Sequence, residues 1–332
     1  MAADPSVWEL DDVLQYLRST HIELPQSVYT EQDSAPLAPA VAPQELAAQL
    51  AALPAGNLMH TYRQFSIYAL RQHEAPQVLD EVTRLRELTF RAYQEGSGLA
   101  RDTDRWDADY VHLVAWDNDA QKILGGYRLG RTDELRATGD PQAVYLATMF
   151  DFSEVFYDGA PILEIGRSFV VPEYQKNHVS LHLLWCGIGR YLTANPRYRS
   201  VYGVVSMSRL YDPRTMAAIR DALVEPLQTV EAKAVYDADL GDLWHAYLNA
   251  QQPLAMQQVS KIVRAMEADE RDVPVLIRHY HKLGARFVSA AVDGSFNNTP
   301  GLLLCLDVPQ IPQKYLKQYL GERLPTYLDY QG

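Results

Sequence analysis

Glu164 and Arg167 stand three residues apart inside LEIGRSFVV, an apolar run with the composition of a buried strand. In a regular strand such residues face opposite sides, so the two could serve one site only if something shifted the phase. Gly166 lies between them, and a glycine inside a strand often marks a bulge. A bulge there would turn both side chains to one side and splay the strand from a parallel neighbour. The splay would leave amides free to pair with an extended, amide-bearing ligand. The competing reading is a structural Glu/Arg pair at a sheet edge.

Pro172 ends the run and opens a polar elbow whose last residues are Gln175, Lys176, Asn177, His178, Val179 and Ser180. The elbow enters a helix with Leu181, Leu184, Trp185, Ile188 and Leu192 on one face, ended by Asn195 and Pro196. The start of a helix offers unpaired N–H groups and partial positive charge, so the amides of Gln175 to Ser180 could hold an anion, as any helix start could. SVYGVVSMS reads as the next strand, which makes the unit a parallel crossover.

The rest of the chain must hold that unit in place. FSIYAL reads as a strand, APQVLDEVTRLRELTFRAY as a helix, and YVHLVAW with KILGGYRL as a hairpin. Asp212 and Pro213 start a helix, Asp272 caps VPVLIRHYHKL, and the strands RFVSAAV and GLLLCLDV flank DGSFNNTP. Residues 1–60, with an amphipathic helix from Ser6 to Arg18 and the linker SAPLAPAVAPQ, read as a helical appendage. The main domain is expected over 61–310 with a helical insertion at 221–262, and 311–332 reads as a polar tail.

Composition narrows the function. The chain of 332 residues carries a net charge of −12 and is 47% hydrophobic, enough for a sizeable core but unlike a general nucleic-acid binder. Cys186 and Cys305 are far apart in apolar runs, as expected of reduced, buried thiols in a cytoplasmic protein. An acidic N-terminus and the lack of a long apolar run predict no signal peptide and no membrane span. Residues 167–220 are the exception to the acidic balance, with Arg167, Lys176, Arg190, Arg197, Arg199, Arg209, Arg214 and Arg220 against Glu173 and Asp212. They would form a basic patch only if the fold gathers them. No metal site is expected, because His279 and His281 would diverge on a helix, and no nucleophile elbow, Walker loop or dinucleotide fingerprint is present.

The order of elements resembles the GNAT N-acyltransferase fold, a mixed α/β sheet flanked by helices with one splayed parallel strand pair. LEIGRSFVVPEYQKNHVSLHLLWCGIGRYL resembles in particular its hemolysin-like branch, which includes ornithine-lipid N-acyltransferases and N-acyl amino acid synthases. The likeness extends from Phe65 to Val308, with VTRLRELTF, DADYVHLVAWD, ILGGYRL and HYHKLGARF in matching order. It implies transfer of a fatty acyl group from a phosphopantetheine thioester to the primary amine of an amino acid or amine-headed lipid precursor.

The resemblance also assigns residues. Glu164 would be the general base, with Arg167 beside it and backbone amides beyond Gly166 holding the oxyanion. Tyr211 would protonate the leaving thiolate, a role that competes with simple packing at a strand end. Val170, Val171, Gln175, Lys176, Asn177, His178, Val179 and Ser180 would seat the phosphopantetheine arm. His178 and Ser180 stand where the family pattern has small residues, which favours a single phosphate, as on acyl carrier protein, over the pyrophosphate of coenzyme A. Arg86 and Arg128 would organise the site and the carrier contact, and Asn297 and Asn298 would meet the acceptor or simply make a turn.

No tightly bound cofactor is expected, and the partners would be acyl carrier protein and a small amine, with the inner membrane as a peripheral contact at most. The alternatives are a signal synthase of the acyl-homoserine-lactone type and a non-catalytic module that holds an acyl carrier or lipid.

Overall fold

The computed structural model describes residues 9–152, 159–177, 179–251 and 254–331. The chain begins with α1 (Leu10–Ser19), a long extended segment, α2 (Pro43–Ala52), β1 (Leu58–Tyr62) and β2 (Phe65–Leu70). Next come α3 (Pro76–Arg91), β3 (Val111–Asp117), β4 (Lys122–Arg131), α4 (Thr132–Arg136) and β5 (Phe150–Phe152). The crossover consists of β6 (Ile162–Val170), α5 (Pro172–Gln175), α6 (Ser180–Ala194) and β7 (Ser200–Ser206). It is followed by α7 (Pro213–Leu223), β8 (Val230–Ala232), α8 (Asp242–Gln251), α9 (Met256–Met266) and α10 (Val275–Lys282). The strands β9 (Arg286–Asp293) and β10 (Thr299–Asp307) and the helices α11 (Gln313–Leu320) and α12 (Leu324–Leu328) complete the chain.

Among the described residues the strands form a mixed eight-stranded sheet, ordered β1-β2-β3-β4-β6-β7-β10-β9, and a small pairing of β5 with β8. This is the mixed α/β architecture expected of the sequence. Within the large sheet β6 and β7 run parallel and the other neighbours antiparallel. The parallel ladder runs from Ile162↔Ser200 to Ile165↔Gly203 and stops, although β6 continues to Val170 and β7 to Ser206. The two strands are therefore splayed beyond Ile165.

Both sheet faces are covered because the helices carry one apolar stripe each. α3 buries Val78, Leu79, Val82 and Leu85, and α6 buries Leu183, Leu184, Trp185, Ile188 and Leu192. Gly189 of α6 permits close contact with α11, since a Cβ there would lie 2.4 Å from the Tyr319 carbonyl oxygen.

Three boundaries differ from the sequence reading. Residues 1–60 are not a separate appendage: Val13, Leu14 and Leu17 of α1 join the same core as Ile165 and Leu184, and β1 pairs with β2. Residues 311–332 are not a polar tail, because α11 and α12 bury Leu316, Tyr319, Leu320, Leu324 and Tyr327. The polar residues between these apolar positions hide a helical stripe from a composition argument. The 221–262 segment includes strand β8, and α9 runs past its expected end to Met266.

Candidate active site

The bulge exists, one residue later than expected. Opposite β4, the register runs from Arg128↔Gly166 to Gly126↔Phe169, so β6 holds one extra residue. Arg167, not the glycine, takes the left-handed conformation, with φ of 48°. That backbone costs on the order of 1–3 kcal/mol for a non-glycine residue. Tertiary contacts offset it: the guanidinium lies 4.8 Å from the ring centroids of both Tyr145 and Phe296, with Nε 3.2 Å from Asp102. The extra residue restores the phase, and Glu164 and Arg167 line one cavity of about 70 Å³ at the start of the splay. Arg128, Tyr110, Tyr145 and Asp293 line it as well, while Phe90, Phe296 and Leu276 supply apolar wall.

Glu164 is 3% exposed, and burial pushes its carboxyl up to about 7. The groups that oppose the shift by favouring the carboxylate include the Tyr110 hydroxyl at 2.5 Å, the Arg128 cation, and the Leu146 amide at 3.2 Å. Tyr110 is fixed in turn by the Tyr145 amide, which donates to its oxygen over 2.7 Å. Gly130 makes room for this pair, since a Cβ there would sit 2.5 Å from the Tyr110 ring and 3.1 Å from Glu164 Oε2. The result is a buried carboxyl that can change protonation near neutrality.

Behind the cavity lies a buried charge network. Arg86 pairs with Asp102 and Asp107 at 2.8 Å each, and Arg128 pairs with Asp104 and, at 3.1 Å, Asp107. Arg167 reaches Asp102, Asp104 and Asp293. Burial alone would raise the Asp102 and Asp107 carboxyls, but the neighbouring arginines outweigh it and hold both below the ordinary value. Arg86 and Arg128 are 1% and 2% exposed. They are therefore not surface contacts for a carrier protein, although Arg128 lines the cavity and acts on Glu164.

The elbow is closed by its own turn. The amides of Lys176 and Asn177 donate to the Tyr174 carbonyl, that of Val179 to Asn177 Oδ1, and that of Ser180 to the Asn177 carbonyl. Gln175 joins the Tyr93 hydroxyl to the Val170 carbonyl, and the Val171 amide donates to Leu124. Lys176 is exposed, and His178 lies outside the described residues.

Other expected residues fall away from the cavity. The Tyr211 hydroxyl donates to the Asp272 carbonyl over 2.6 Å, and Tyr211 does not line the cavity. Asn297 and Asn298, with φ of 54° and 51°, form a turn that holds the extended segment after α1. Asn297 Oδ1 accepts from the Val28 and Tyr29 amides, and Asn298 Nδ2 donates to the Gln26 carbonyl. The basic segment does not form a patch either. Arg190, Arg199 and Arg209 bind backbone carbonyls, and Arg197, Arg214 and Arg220 pair with neighbouring acids.

The sequence reading missed Tyr110, the aspartates at 102, 104 and 107, and Asp293. They lie in connecting segments or at strand ends with no periodic pattern, and only the topology brings them to β6.

Residues 85–185, which run from α3 through β6 and the elbow into α6, match the acetyltransferase (GNAT) domain family. The match falls on the stretch that carried the resemblance to the GNAT fold in the sequence. The chain is similar to the glycine N(alpha)-acyltransferase of Phocaeicola vulgatus, 36% identical over 50% of this chain and 57% of that protein. It is also similar to the L-ornithine N(alpha)-acyltransferase of Agrobacterium fabrum, 29% identical over 76% of this chain and 83% of that protein. The chain spans 57% and 55% of the length of the two glycine acyltransferases it matches. Among solved structures, similarity is found to BjaI, a CoA-dependent acyl-homoserine lactone synthase, with a TM-score of 0.38 and 17% identity over 78% of this chain and 89% of that one. Among the described residues no helix is long and apolar enough to cross a membrane.

Proposed function

We propose that this protein is an N-acyltransferase that moves a fatty acyl group from a phosphopantetheine thioester to the α-amine of an amino acid. The observation that carries this reading is Glu164, a buried carboxyl raised to about 7, at the point where β6 and β7 part. The names of the glycine and ornithine relatives support an amino acid as the acceptor.

In this reading the thioester enters between the splayed strands from the elbow end, with its phosphate near the exposed Lys176 side chain. Glu164, as carboxylate, takes a proton from the acceptor ammonium or attacking amine, directly or through water. The amine attacks the thioester carbonyl, and the oxyanion is held by amides of the β6 edge beyond Gly166. Collapse expels the thiol and leaves an amide. Arg167 orients the acceptor, its charge shared with Asp102 and Asp293. With the arginines of residues 167–220 bound within the fold, charge on that segment does not favour an acyl carrier protein over coenzyme A as the donor.

The test is mass spectrometry of lipid extracts from expressing cells, with assays of purified protein using acyl-carrier and coenzyme A thioesters and a panel of amino acids. The reading expects a new amide-linked lipid that is lost in Glu164→Gln while thioester binding persists. Thioester binding with no amide formed from any amine would point instead to a non-catalytic module. A homoserine lactone product would point to a signal synthase.

A further inference from the structure

Two polar groups that line the cavity are buried but short of partners. Thr299 opens β10 and is 1% exposed, and its hydroxyl has no hydrogen-bond partner among the described residues. The Arg167 side chain is 7% exposed. Among the described residues it makes one hydrogen bond, from Nη1 to the Tyr145 hydroxyl at 3.2 Å, and its Nε makes none. Its ion pairs, at 3.2, 3.6 and 3.9 Å, are longer than the 2.8 Å pairs of Arg86 behind the cavity.

The fold brings the two together. Alternation along β10 puts Thr299 on the face of Leu303, which packs in one cluster with Tyr110 and Tyr145. Across the ladder of β9 and β10, Thr299 pairs with Asp293, and Arg167 Nη1 lies 3.9 Å from the Asp293 carboxylate. The Thr299 amide donates to the Phe296 carbonyl over 3.1 Å, and the Phe296 ring carries the Arg167 guanidinium. A buried hydroxyl and a buried guanidinium with spare donors are unfavourable unless something pairs with them. Both donate to the same kind of group, an anion with two oxygens, and an amino acid acceptor has one in its α-carboxylate.

The acids around the cavity decide what else the acceptor can carry. Of those that line it, Glu164 acts as the base, and Asp293 accepts from the Tyr145 hydroxyl at 2.6 Å and from the Ser295 hydroxyl and amide at 2.8 and 3.0 Å. Asp102, Asp104 and Asp107 are paired with arginines. The second ammonium of a diamino acid therefore meets no uncommitted carboxylate among the described lining residues, and it faces the Arg128 and Arg167 cations. Space acts in the same direction, since the cavity of about 70 Å³ is far below the roughly 300–1,000 Å³ of a pocket for a drug-sized ligand.

We propose that Thr299 and Arg167 form a seat for the acceptor's α-carboxylate, and that the site takes α-amino acids with a small, uncharged side chain, glycine being the smallest. This rests on the acyltransferase reading and narrows it. The Thr299 hydroxyl donates to one carboxylate oxygen, and the free donors of Arg167 hold the other. With the carboxylate so held, the α-amine is left to face Glu164, three residues from Arg167 on β6.

The test measures kcat/KM for glycine, glycinamide and ornithine with wild type, Thr299→Val and Thr299→Ser, using palmitoyl thioesters of acyl carrier protein and of coenzyme A, with rates expressed per free amine. Wild type should favour glycine by roughly 100-fold over glycinamide, which lacks the carboxylate, and over ornithine. Thr299→Val should cut the glycine-to-glycinamide ratio roughly tenfold, mainly through KM, whereas Thr299→Ser, which keeps the hydroxyl, should hold it. Because the hydroxyl has no partner in the fold, Thr299→Val should melt at or above the wild-type temperature. A folded Thr299→Val with the wild-type ratio, or one that melts well below wild type because the hydroxyl serves the fold, overturns the seat. A wild-type protein that acylates ornithine as well as glycine overturns the selection. One that forms no amide from any acceptor with either donor overturns the reading on which both rest.

Discussion

The hydroxyl of Tyr110 donates to Glu164 Oε2 over 2.5 Å, inside a site where burial already raises the carboxyl to about 7. The hydrogen bond favours the carboxylate, so it works against burial and keeps Glu164 usable as a base at neutral pH. Tyr110→Phe removes that donor, and the Glu164 value should rise further. Because a base acts only when deprotonated, the acid limb of the pH–rate profile should move to higher pH, by roughly one unit. Activity at pH 7 should fall several-fold and recover in part at pH 8.5. An unmoved acid limb would show that another group sets it.

Gly130 and Gly166 provide a steric contrast on neighbouring strands. A Cβ on Gly130 would meet the Tyr110 ring at 2.5 Å, whereas one on Gly166 would meet nothing within 4 Å. Gly130→Ala should lower stability by about 1–3 kcal/mol, as overpacking does, and disturb Tyr110 and Glu164 together. Gly166→Ala should leave the melting temperature near wild type. Thermal melts of the pair check the contrast, and equal melting temperatures would contradict it.

The relation between residues and site was only partly legible in the sequence. LEIGRSFVV announces itself because two charges in an apolar run require a special arrangement, and the glycine between them signals a phase shift. Which residue takes the strained conformation does not follow from that run. It depends on Tyr145, Phe296 and Asp102, which arrive from three other segments to hold Arg167. The basic segment misled for the same reason: sequence clustering says nothing of whether Arg190 or Arg199 reaches a carbonyl of α11 or α12. The turn role of Asn297 was open, but its grip on Val28 and Tyr29 is a contact across 269 and 268 residues of chain that no local pattern encodes.

That grip can be tested. Asn297 accepts two amides from the extended segment and donates to the Gln94 carbonyl over 2.9 Å, while Arg209 donates to the Pro25 carbonyl at 2.8 Å. Asn297→Ala leaves the part-buried Val28 and Tyr29 amides without their acceptor and places a residue without a polar side chain at positive φ. A loss of about 2–3 kcal/mol is expected. Limited proteolysis should cut near residues 20–40 faster in the variant than in wild type. Asn297→Gly, which relieves the backbone but not the lost contacts, should show the same cleavage with a smaller fall in melting temperature.

The network around Arg86 makes stability depend on pH in two stages. His112 is buried, and burial lowers its value to about 4, with the neutral ring hydrogen-bonded to the Asp107 carbonyl at 2.8 Å. Its folded value lies below the unfolded value of about 6.5, so its contribution is full above pH 6.5 and is lost as the pH falls toward 4. Asp102 and Asp107 are depressed as well, because Arg86, Arg128 and Arg167 outweigh the effect of burial. Their contribution is full above the unfolded value of about 3.9 and is lost at still lower pH, as the folded values are approached. Stability measured by denaturant should therefore fall between pH 6.5 and 4, and again below pH 4. His112→Gln should flatten the first stage and spare the second. Arg86→Ala, which leaves Asp102 and Asp107 short of a buried partner, should cost about 3–5 kcal/mol at pH 7. It should also shrink the acid dependence below pH 4, since the lost cation no longer depresses the two carboxyls. An Arg86→Ala protein that kept the wild-type acid dependence would show that Arg128 and Arg167 alone sustain both aspartates.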